Sequence, residues 1–313
     1  MKFLIFGAGV LGSYYASKLY AANINVKILA RGQRLKDIKQ YGIIIDNIFT
    51  GEKINQYVPV VDSIKSDDEY DIVIIIMRKN QISSILPLIS QNEKIKAVIF
   101  MGNNGKGASE YIENLGSERV ILGFPSAGGR REGHIIKLVA SEKTPIILGE
   151  LEEPISLKLK QIVNEFNKAG IRVKVSKNID AWLKTHLALV LPLAGGIYFA
   201  GGDNYQLAKD KEGIILVVNA IREGFRVLKT LKIPILPKKF KFMFKFPRSL
   251  IVRQLAKGLG TESGELALRD HAIAAQDEMR TLANEFKELI KKSGIPTPVL
   301  NTLYQYFEKD FSN

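Results

Sequence analysis

Three glycines stand near the start of the chain in the spacing Gly-x-Gly-x-x-Gly, directly after the apolar run Phe3 to Phe6. In such a motif the first glycine allows a tight turn, the second lets the backbone approach a pyrophosphate, and the third lets a helix pack on the strand. The helix predicted from Leu11 to about Ala22 would point its N-terminal N–H groups at the phosphates. We therefore expect a dinucleotide to bind at Gly7, Ala8, Gly9, Val10, Leu11 and Gly12.

The residues after the second predicted strand indicate which dinucleotide binds. NAD-binding folds usually carry an acidic residue there for the ribose hydroxyls. In this chain the strand Asn25 to Ala30 is followed by Arg31, and Arg34 and Lys36 come soon after. A guanidinium can bind a 2′-phosphate through its planar fork of donors, so we expect NADP(H), with Arg31 as its contact. Lys36 is more typical of a solvated basic residue at the start of a helix than of a contact to the 2′-phosphate.

Three further segments follow predicted strands. Arg78 or Lys79 could stabilise an anionic substrate or a cofactor phosphate, and Asn104 can donate and accept hydrogen bonds beside a carbonyl substrate. An ordinary Asn-Gly turn explains Asn104-Gly105 equally well. The stretch 128–131, which contains Gly129, also follows a strand and could allow close backbone approach.

A lysine in the C-terminal half could act as a general acid. Reduction of a ketone by hydride produces an alkoxide that needs a proton, and Lys184 in a predicted amphipathic helix could supply it. Glu278 is the carboxylate that could hold this lysine. Taken alone, each residue is more typical of a solvated surface charge.

Composition limits the other classes of function. The chain has 313 residues, no cysteine and only three histidines, which are far apart, so we expect neither a disulfide nor a metal site. No apolar run reaches the length of a membrane span and the N-terminus begins with a strand, so we expect a cytoplasmic protein that does not bind membranes. A homodimer is compatible with the sequence.

The net charge of +13 raises nucleic acid as a partner, because ten basic residues and no acidic one lie between Arg226 and Lys257. Phenylalanines alternate with these charges and could stack on bases. We favour an amphipathic segment with a buried face and do not expect nucleic-acid binding, because no recognised motif surrounds the charges. The residues assigned to the buried face are Phe240, Met243, Phe244 and Leu250.

The order of elements predicts an α/β fold: an N-terminal Rossmann-like, doubly wound sheet followed by an all-helical domain. We expect residues 1–175 to bind NADP and residues 176–313 to supply the helical substrate and catalytic domain. The predicted strands are Lys2–Phe6, Asn25–Ala30, Ile72–Met77, Ala97–Met101, Val120–Phe124 and Val173–Val175, with hairpins at Ile43–Val58 and Ile135–Leu148. The predicted helices of the second domain are Ala181–Leu193, Lys211–Leu231, Lys238–Leu259, Gly264–Lys292 and Thr297–Phe311.

Over essentially its full length the chain resembles the ketopantoate reductase (2-dehydropantoate 2-reductase) family. The resemblance rests on residues 7–12, Arg31, a basic residue three before Gln81, Asn104-Gly105, residues 130–133, Trp182-Leu183-Lys184, and Glu278 before Gly294-Ile295-Pro296. It implies that Lys184 is the proton donor and that Glu278 supports it and binds near the cofactor ribose or the substrate. It also implies that Asn104 and Gly129 line the cofactor and that Arg78 lies beside the nicotinamide.

The resemblance implies NADPH-dependent reduction of a small 2-oxo acid, by default 2-dehydropantoate to pantoate in pantothenate biosynthesis. Two positions depart from the family: Ala188 and Pro192 stand where studied members carry substrate-binding asparagines. His186 and His271 could replace those contacts, or could be packing residues. The alternatives are a reductase of another 2-oxo acid and an NADP(H)-binding regulatory protein without turnover.

Overall fold

The computed structural model describes residues 1–152, 155–243 and 245–311. Contacts between Cα atoms divide the chain into two compact units. One unit contains Met1–Gly102 and Gly107–Ile179, and the other contains Asn103–Lys106 and Asp180–Asn313. The short loop Asn103–Lys106 therefore groups with the second unit, although the strand that leads into it belongs to the first.

The first unit is built on a large sheet with the strand order β12-β11-β8-β7-β6-β1-β2-β5 in the described chain. These strands are β1 (Lys2–Phe6), β2 (Asn25–Leu29), β5 (Val60–Val61), β6 (Ile72–Ile75), β7 (Ala97–Met101), β8 (Val120–Phe124), β11 (Ile146–Gly149) and β12 (Val173–Val175). All neighbours pair in parallel except β11 and β8. Every residue of β6 and β7 is buried, as a central strand covered on both faces requires. The predicted doubly wound sheet is confirmed.

A second, smaller sheet has the order β4-β3-β10-β9. Its strands are β3 (Ile43–Asn47), β4 (Lys53–Gln56), β9 (Ala127–Glu132) and β10 (Ile135–Ala140). The predicted hairpin at Ile43–Val58 is present as β3 and β4. The predicted hairpin at Ile135–Leu148 is wrong, because β10 pairs with β9 and β3 while β11 joins the large sheet. The chain turns instead at Gly133, whose φ of +62° suits a glycine.

The helices of the first unit lie between its strands. They are α1 (Val10–Ala21), α2 (Gly32–Tyr41), α3 (Lys79–Ile82), α4 (Leu86–Ser90), α5 (Ser109–Leu115) and α6 (Leu157–Lys168). Helix α6 shows how the sequence defines a start, because the Ser156 hydroxyl accepts a hydrogen bond from the Leu159 backbone N–H. Its buried face, which includes Ile162 and Phe166, packs in the core of this unit.

Every element described in residues 180–311 is helical, as predicted. The helices are α7 (Ile179–Phe199), α8 (Asn204–Lys209), α9 (Lys211–Thr230), α10 (Phe240–Met243), α11 (Arg248–Leu259), α12 (Glu262–Gly264), α13 (Asp270–Ala274), α14 (Gln276–Ser293) and α15 (Pro298–Tyr304). The single helix predicted over Gly264–Lys292 is wrong. A π-helical turn spans Glu265–Arg269, and Ala275, with φ −123° and ψ 41°, separates α13 from α14.

Helix α7 is long and apolar enough to cross a membrane by length and composition alone. Of an apolar stretch of 18 residues within this helix, 61% is buried inside the protein. Leu187, Leu191 and Ala194 of this helix belong to the core of the second unit. The burial is that of a core helix.

The buried face predicted for the basic segment is only partly present. Phe240 is partly buried against the helical core, but Leu250 is 41% exposed, so its assignment to the core is wrong. Phe242 and Phe246 are also exposed. The residue Phe244 and the side chain of Met243 lie outside the described residues. The segment splits into α10 and α11 because Pro247 lacks a backbone N–H donor and precedes a new helix start.

Candidate active site

The glycine-rich turn has the geometry that each of its glycines was expected to need. A Cβ on Gly7, whose φ is +120°, would lie 2.2 Å from the Ile76 carbonyl oxygen. A Cβ on Gly12 would lie 1.8 Å from the Gly7 carbonyl oxygen, so α1 approaches the turn too closely for any side chain. A Cβ on Gly9 would meet nothing within 4 Å. Only Gly9 therefore faces space that a ligand could fill.

The start of α1 adds to this anion site. Gly9 is its N-cap and provides no side-chain hydrogen bond to the first backbone N–H groups. Those donors, together with the positive end of the helix dipole, are suited to a phosphate. Ala8, Val10 and Leu11 are partly buried around the turn.

Arg34 has a structural role at this turn, which the sequence did not indicate. Its guanidinium is 7% exposed and donates hydrogen bonds to the Ala8 carbonyl at 3.1 Å, the Ser13 hydroxyl at 2.9 Å and the His134 carbonyl at 3.4 Å. Burial, and then the nearby charge of Arg131, lower the pKa of Arg34. The guanidinium thus fixes the turn to α1 and to the start of β10. The sequence feature that could have suggested this role is the position of Arg34 one helical turn after Arg31, on the inner face of α2.

Arg31 is exposed, at the N-cap position of α2. Among the described residues, no hydrogen bond or ion pair holds its side chain. It therefore differs from Arg34, which follows the same strand and is buried.

The two candidate cations in the loop after β6 have different environments. Lys79 is buried, and its ammonium donates to the Tyr111 hydroxyl at 3.0 Å, so it stabilises the packing of α5. Arg78 is partly buried at the N-cap of α3.

Gly129 lies within strand β9 instead of a loop, which corrects the expectation for 128–131. A Cβ there would lie 2.2 Å from the Lys137 carbonyl oxygen on β10 and 3.1 Å from a methyl of Val10. The close approach required at Gly129 is therefore to a neighbouring strand and to the start of α1.

Asn104 sits in a loop that is fixed to α14. Asn104 is 4% exposed, and the backbone N–H groups of Gly105 and Lys106 donate to the Glu285 carboxylate at 2.8 and 3.1 Å. A Cβ on Gly105 would lie 2.8 Å from Leu187, so the loop also approaches α7 closely. An ordinary exposed turn does not account for these contacts.

The lysine predicted as general acid makes an ion pair within its own helix. The Lys184 ammonium lies 2.5 Å from the Asp180 carboxylate one turn earlier on α7, and the lysine side chain is only 13% exposed. Glu278 is 3% exposed and contacts the His271 imidazole at 3.6 Å. Asp180 is thus the carboxylate that contacts Lys184, and the support of Lys184 by Glu278 stays a prediction. The spacing of Asp180 and Lys184 is a common helical ion pair and was available in the sequence.

His186 is held beside Trp182 and near His271. The Trp182 and His186 rings stack with centroids 5.6 Å apart. Burial, and then the charge of His271, lower the pKa of His186 to about 4, so its imidazole is neutral at pH 7. A neutral imidazole can both donate and accept a hydrogen bond.

The two departures from the family lie on α7. Ala188 is 1% exposed, and a Cβ on Gly224 of α9 would lie 3.1 Å from its methyl group. Helices α7 and α9 therefore cross closely at this position, and Ala188 is buried in the crossing. Pro192 is a proline inside α7.

An apolar cavity of about 500 Å³ lies elsewhere in the helical unit. Its lining consists of Leu189, Leu193, Val218, Ile221, Phe246, Leu250, Ile251, Gln254 and Leu255. None of the predicted site residues is in this lining, and it offers a single polar side chain. We therefore do not place the chemistry there.

Comparison with known proteins gives related sequences and a shared fold. Residues 3–153 match the family model described as ketopantoate reductase PanE/ApbA. The chain is 25% identical over 313 residues to a 2-dehydropantoate 2-reductase of Aquifex aeolicus, a match covering 95% of this chain and 93% of the relative. It is 28% identical over 192 residues to a 2-dehydropantoate 2-reductase of a Nostoc species, a match spanning 57% of each chain.

A D-mandelate dehydrogenase solved with NADH and anilino(oxo)acetate has the same fold. The TM-score is 0.78 at 18% identity, over 98% of this chain and 97% of that chain. The likeness supports the predicted Rossmann-like fold with a helical second part.

Proposed function

We propose that the protein is an NADPH-dependent oxidoreductase that reduces a small 2-oxo acid to the 2-hydroxy acid. Its residues 3–153 match the ketopantoate reductase PanE/ApbA family model. The family resemblance predicted from the sequence is confirmed by this match and by the relatives, which are named as oxidoreductases.

The observation that carries the proposal is the contrast among the three glycines. Gly7 and Gly12 are required by contacts inside the protein, whereas the space in front of Gly9 is open. A glycine without a packing reason, at an uncapped helix start, fits the close approach of a pyrophosphate. The residues present thus fit a dinucleotide.

Exposed Arg31 supports NADP(H) over NAD(H). With Arg34 committed to Ala8, Ser13 and His134, Arg31 is the guanidinium after β2 that remains available for a 2′-phosphate. Arg131, whose charge reaches Arg34, adds to the positive potential in this region.

Bound NADPH would supply the hydride that converts the C2 carbonyl to an alkoxide. We assign the proton for that alkoxide to the Lys184 ammonium. Asp180 holds the ammonium in one place through their ion pair, and the 13% exposure of Lys184 limits competition from water.

Glu278, His271 and His186 are proposed as ligand contacts near this lysine. The buried Glu278 carboxylate can accept a hydrogen bond from a ribose or product hydroxyl, and its pairing with His271 fixes its orientation. His186, neutral at pH 7, can donate to a substrate oxygen without adding charge. Asn104 and Arg78 are proposed at the carbonyl and at the nicotinamide, respectively.

The default substrate is 2-dehydropantoate, because the relatives from Aquifex and Nostoc are named for it. One observation favours another 2-oxo acid. At Ala188 the crossing with Gly224 leaves an apolar, closed position where an asparagine was expected to bind the substrate. A site without that amide discriminates less well between a substrate that carries the hydroxyl group and one that lacks it.

A turnover screen tests the proposal. Purified protein would be incubated with NADPH or NADH and a panel of 2-oxo acids: 2-dehydropantoate, its analogue without the hydroxyl, phenylglyoxylate and pyruvate. We expect oxidation of NADPH with at least one of them, faster than with NADH. If NADPH binds but no member of the panel turns over, a regulatory protein is favoured; absence of NADPH binding contradicts the whole proposal.

We also propose that the protein acts in the cytoplasm and takes a small-molecule substrate as its partner. The relatives described above are named 2-dehydropantoate 2-reductases, and most of the apolar stretch of α7 is buried.

A further inference from the structure

Asn103, next to the candidate residue Asn104, carries a buried polar atom without a partner. The residue is 8% exposed, and its side-chain Oδ1 makes no hydrogen bond among the described residues. Buried acceptors in folded proteins are nearly always hydrogen-bonded, and leaving one unsatisfied is costly. An unsatisfied atom of this kind calls for an explanation.

Loose structure does not explain it. The next two residues of the loop, Gly105 and Lys106, are held by charge-assisted hydrogen bonds from their backbone N–H groups to Glu285. Gly105 has no room for a side chain, because Leu187 and Glu285 lie against it. A loop this tightly held keeps Asn103 in place with its acceptor unsatisfied. A functional role of such an atom, as an acceptor for a bound group, is one explanation for an unsatisfied position in a well-ordered loop.

The position of Asn103 along the chain indicates which ligand group would satisfy the atom. It comes two residues after β7, at the carboxyl end of that strand, where open α/β sheets bind ligands. In the order β7-β6-β1-β2, the β2 side is that of the adenosine 2′-phosphate, since Arg31 follows β2. Strand β7 lies on the opposite side of β1, which is the side of the nicotinamide half.

We propose that Asn103 Oδ1 accepts a hydrogen bond from the nicotinamide half of the bound dinucleotide, either from the carboxamide N–H or from the adjacent ribose hydroxyl. Glu285 is the positioning residue that fixes the loop for this contact. The inference rests on the proposed function, because it needs NADPH as the ligand. It assigns a binding role to a residue that neither the motif nor the resemblance singled out.

The Asn103→Leu variant tests the proposal through two measurements that need no turnover. Leucine has a similar size and removes the unsatisfied acceptor, so the free energy of unfolding of the ligand-free protein should stay the same or rise. The affinity for NADPH should fall about tenfold, the usual effect of one lost hydrogen bond in a closed site. Adenosine 2′,5′-bisphosphate, which lacks the nicotinamide half, should bind as tightly as it does to the unaltered protein.

The control is Asn284→Leu, an exposed amide on α14, which should change neither NADPH affinity nor fragment affinity. A second variant, Asn103→Asp, keeps an acceptor oxygen and should bind NADPH more tightly than Asn103→Leu does; it decides the question if the leucine variant does not fold. For Glu285, the Glu285→Ala variant should weaken NADPH and speed hydrogen exchange at Gly105 and Lys106. Glu288→Ala, exposed on the same helix, should do neither.

Three results would overturn the proposal while leaving the proposed function intact. The first is a ligand-free Asn103→Leu protein less stable than the original, which would show that Oδ1 is satisfied by bound water. The second is unchanged NADPH affinity in that variant. The third is equal weakening of NADPH and the adenosine fragment. If the unaltered protein binds no NADPH, the proposed function itself fails and this inference fails with it.

Discussion

Alanine at Gly12 and alanine at Gly9 should both weaken NADPH binding, but only alanine at Gly12 should also destabilise the fold. In Gly12→Ala the new Cβ would lie 1.8 Å from the Gly7 carbonyl oxygen and 3.2 Å from a methyl of Ile5. Since carbon contacts normally begin near 3.5 Å, α1 must move by more than about 1 Å. Overpacking of this kind costs about 3 kcal/mol, so both folding stability and NADPH binding should fall.

In Gly9→Ala the new Cβ meets nothing within 4 Å, and the backbone at φ −70° and ψ −166° suits alanine. The free energy of unfolding without ligand should therefore change by less than about 1 kcal/mol. NADPH affinity should nevertheless fall by about a hundredfold or more, near 3 kcal/mol, because the methyl group occupies the path of the pyrophosphate.

Denaturant unfolding followed by circular dichroism, together with NADPH fluorescence titration, measures both effects. The matched control is Gly258→Ala, within α11, where a Cβ also meets nothing within 4 Å. It should change neither quantity by much. Two results would contradict a pyrophosphate site at Gly9: NADPH affinity in Gly9→Ala equal to that of the original protein, or a loss of stability in Gly9→Ala as large as that in Gly12→Ala.

Three further outcomes follow from the geometry. Arg31→Glu should weaken NADPH far more than NADH in paired titrations, and equal losses would remove Arg31 from the 2′-phosphate site. Arg34→Met should lower the free energy of unfolding by about 3 kcal/mol in denaturant titrations, because three hydrogen bonds from a buried guanidinium disappear; a change below about 1 kcal/mol would contradict its structural role. His186 has a pKa lowered to about 4, so its neutral form is the stable one in the fold and stability is lost as pH falls from about 6.5 to about 4. His186→Phe should flatten that part of a stability-versus-pH curve, and an unchanged slope would argue against a buried neutral imidazole.

Local patterns predicted the strands and the glycine turn well. The bounds of Lys2–Phe6, Ala97–Met101 and Val120–Phe124 agree with the sequence because buried apolar runs between turn residues have few alternatives. The prediction of a hairpin at Ile135–Leu148 is wrong because a local pattern does not report which strands pair. Two alternating runs separated by a turn resemble a hairpin, but which strands pair depends on neighbours distant in the chain.

The candidate site shows the same limit. The pairing of Lys184 with Asp180 spans one helical turn and could be predicted from spacing. The contact between Gly105 and Glu285 joins residues 180 positions apart, and no local pattern reports it. From the sequence, Arg34 is indistinguishable from a surface cation, whereas in the fold it donates hydrogen bonds to Ala8 and Ser13. Residue type gave the chemistry, while tertiary contacts decided which cation is structural.

We have proposed that Lys184 protonates the alkoxide during NADPH-dependent reduction of a 2-oxo acid. The most direct measurement compares turnover and NADPH affinity for Lys184→Ala with those of Lys211→Ala, an exposed lysine on α9. With the best substrate of the screen, we predict that Lys184→Ala lowers kcat by about a hundredfold or more and leaves NADPH affinity nearly unchanged, while Lys211→Ala changes neither. An unchanged kcat in Lys184→Ala would contradict the account.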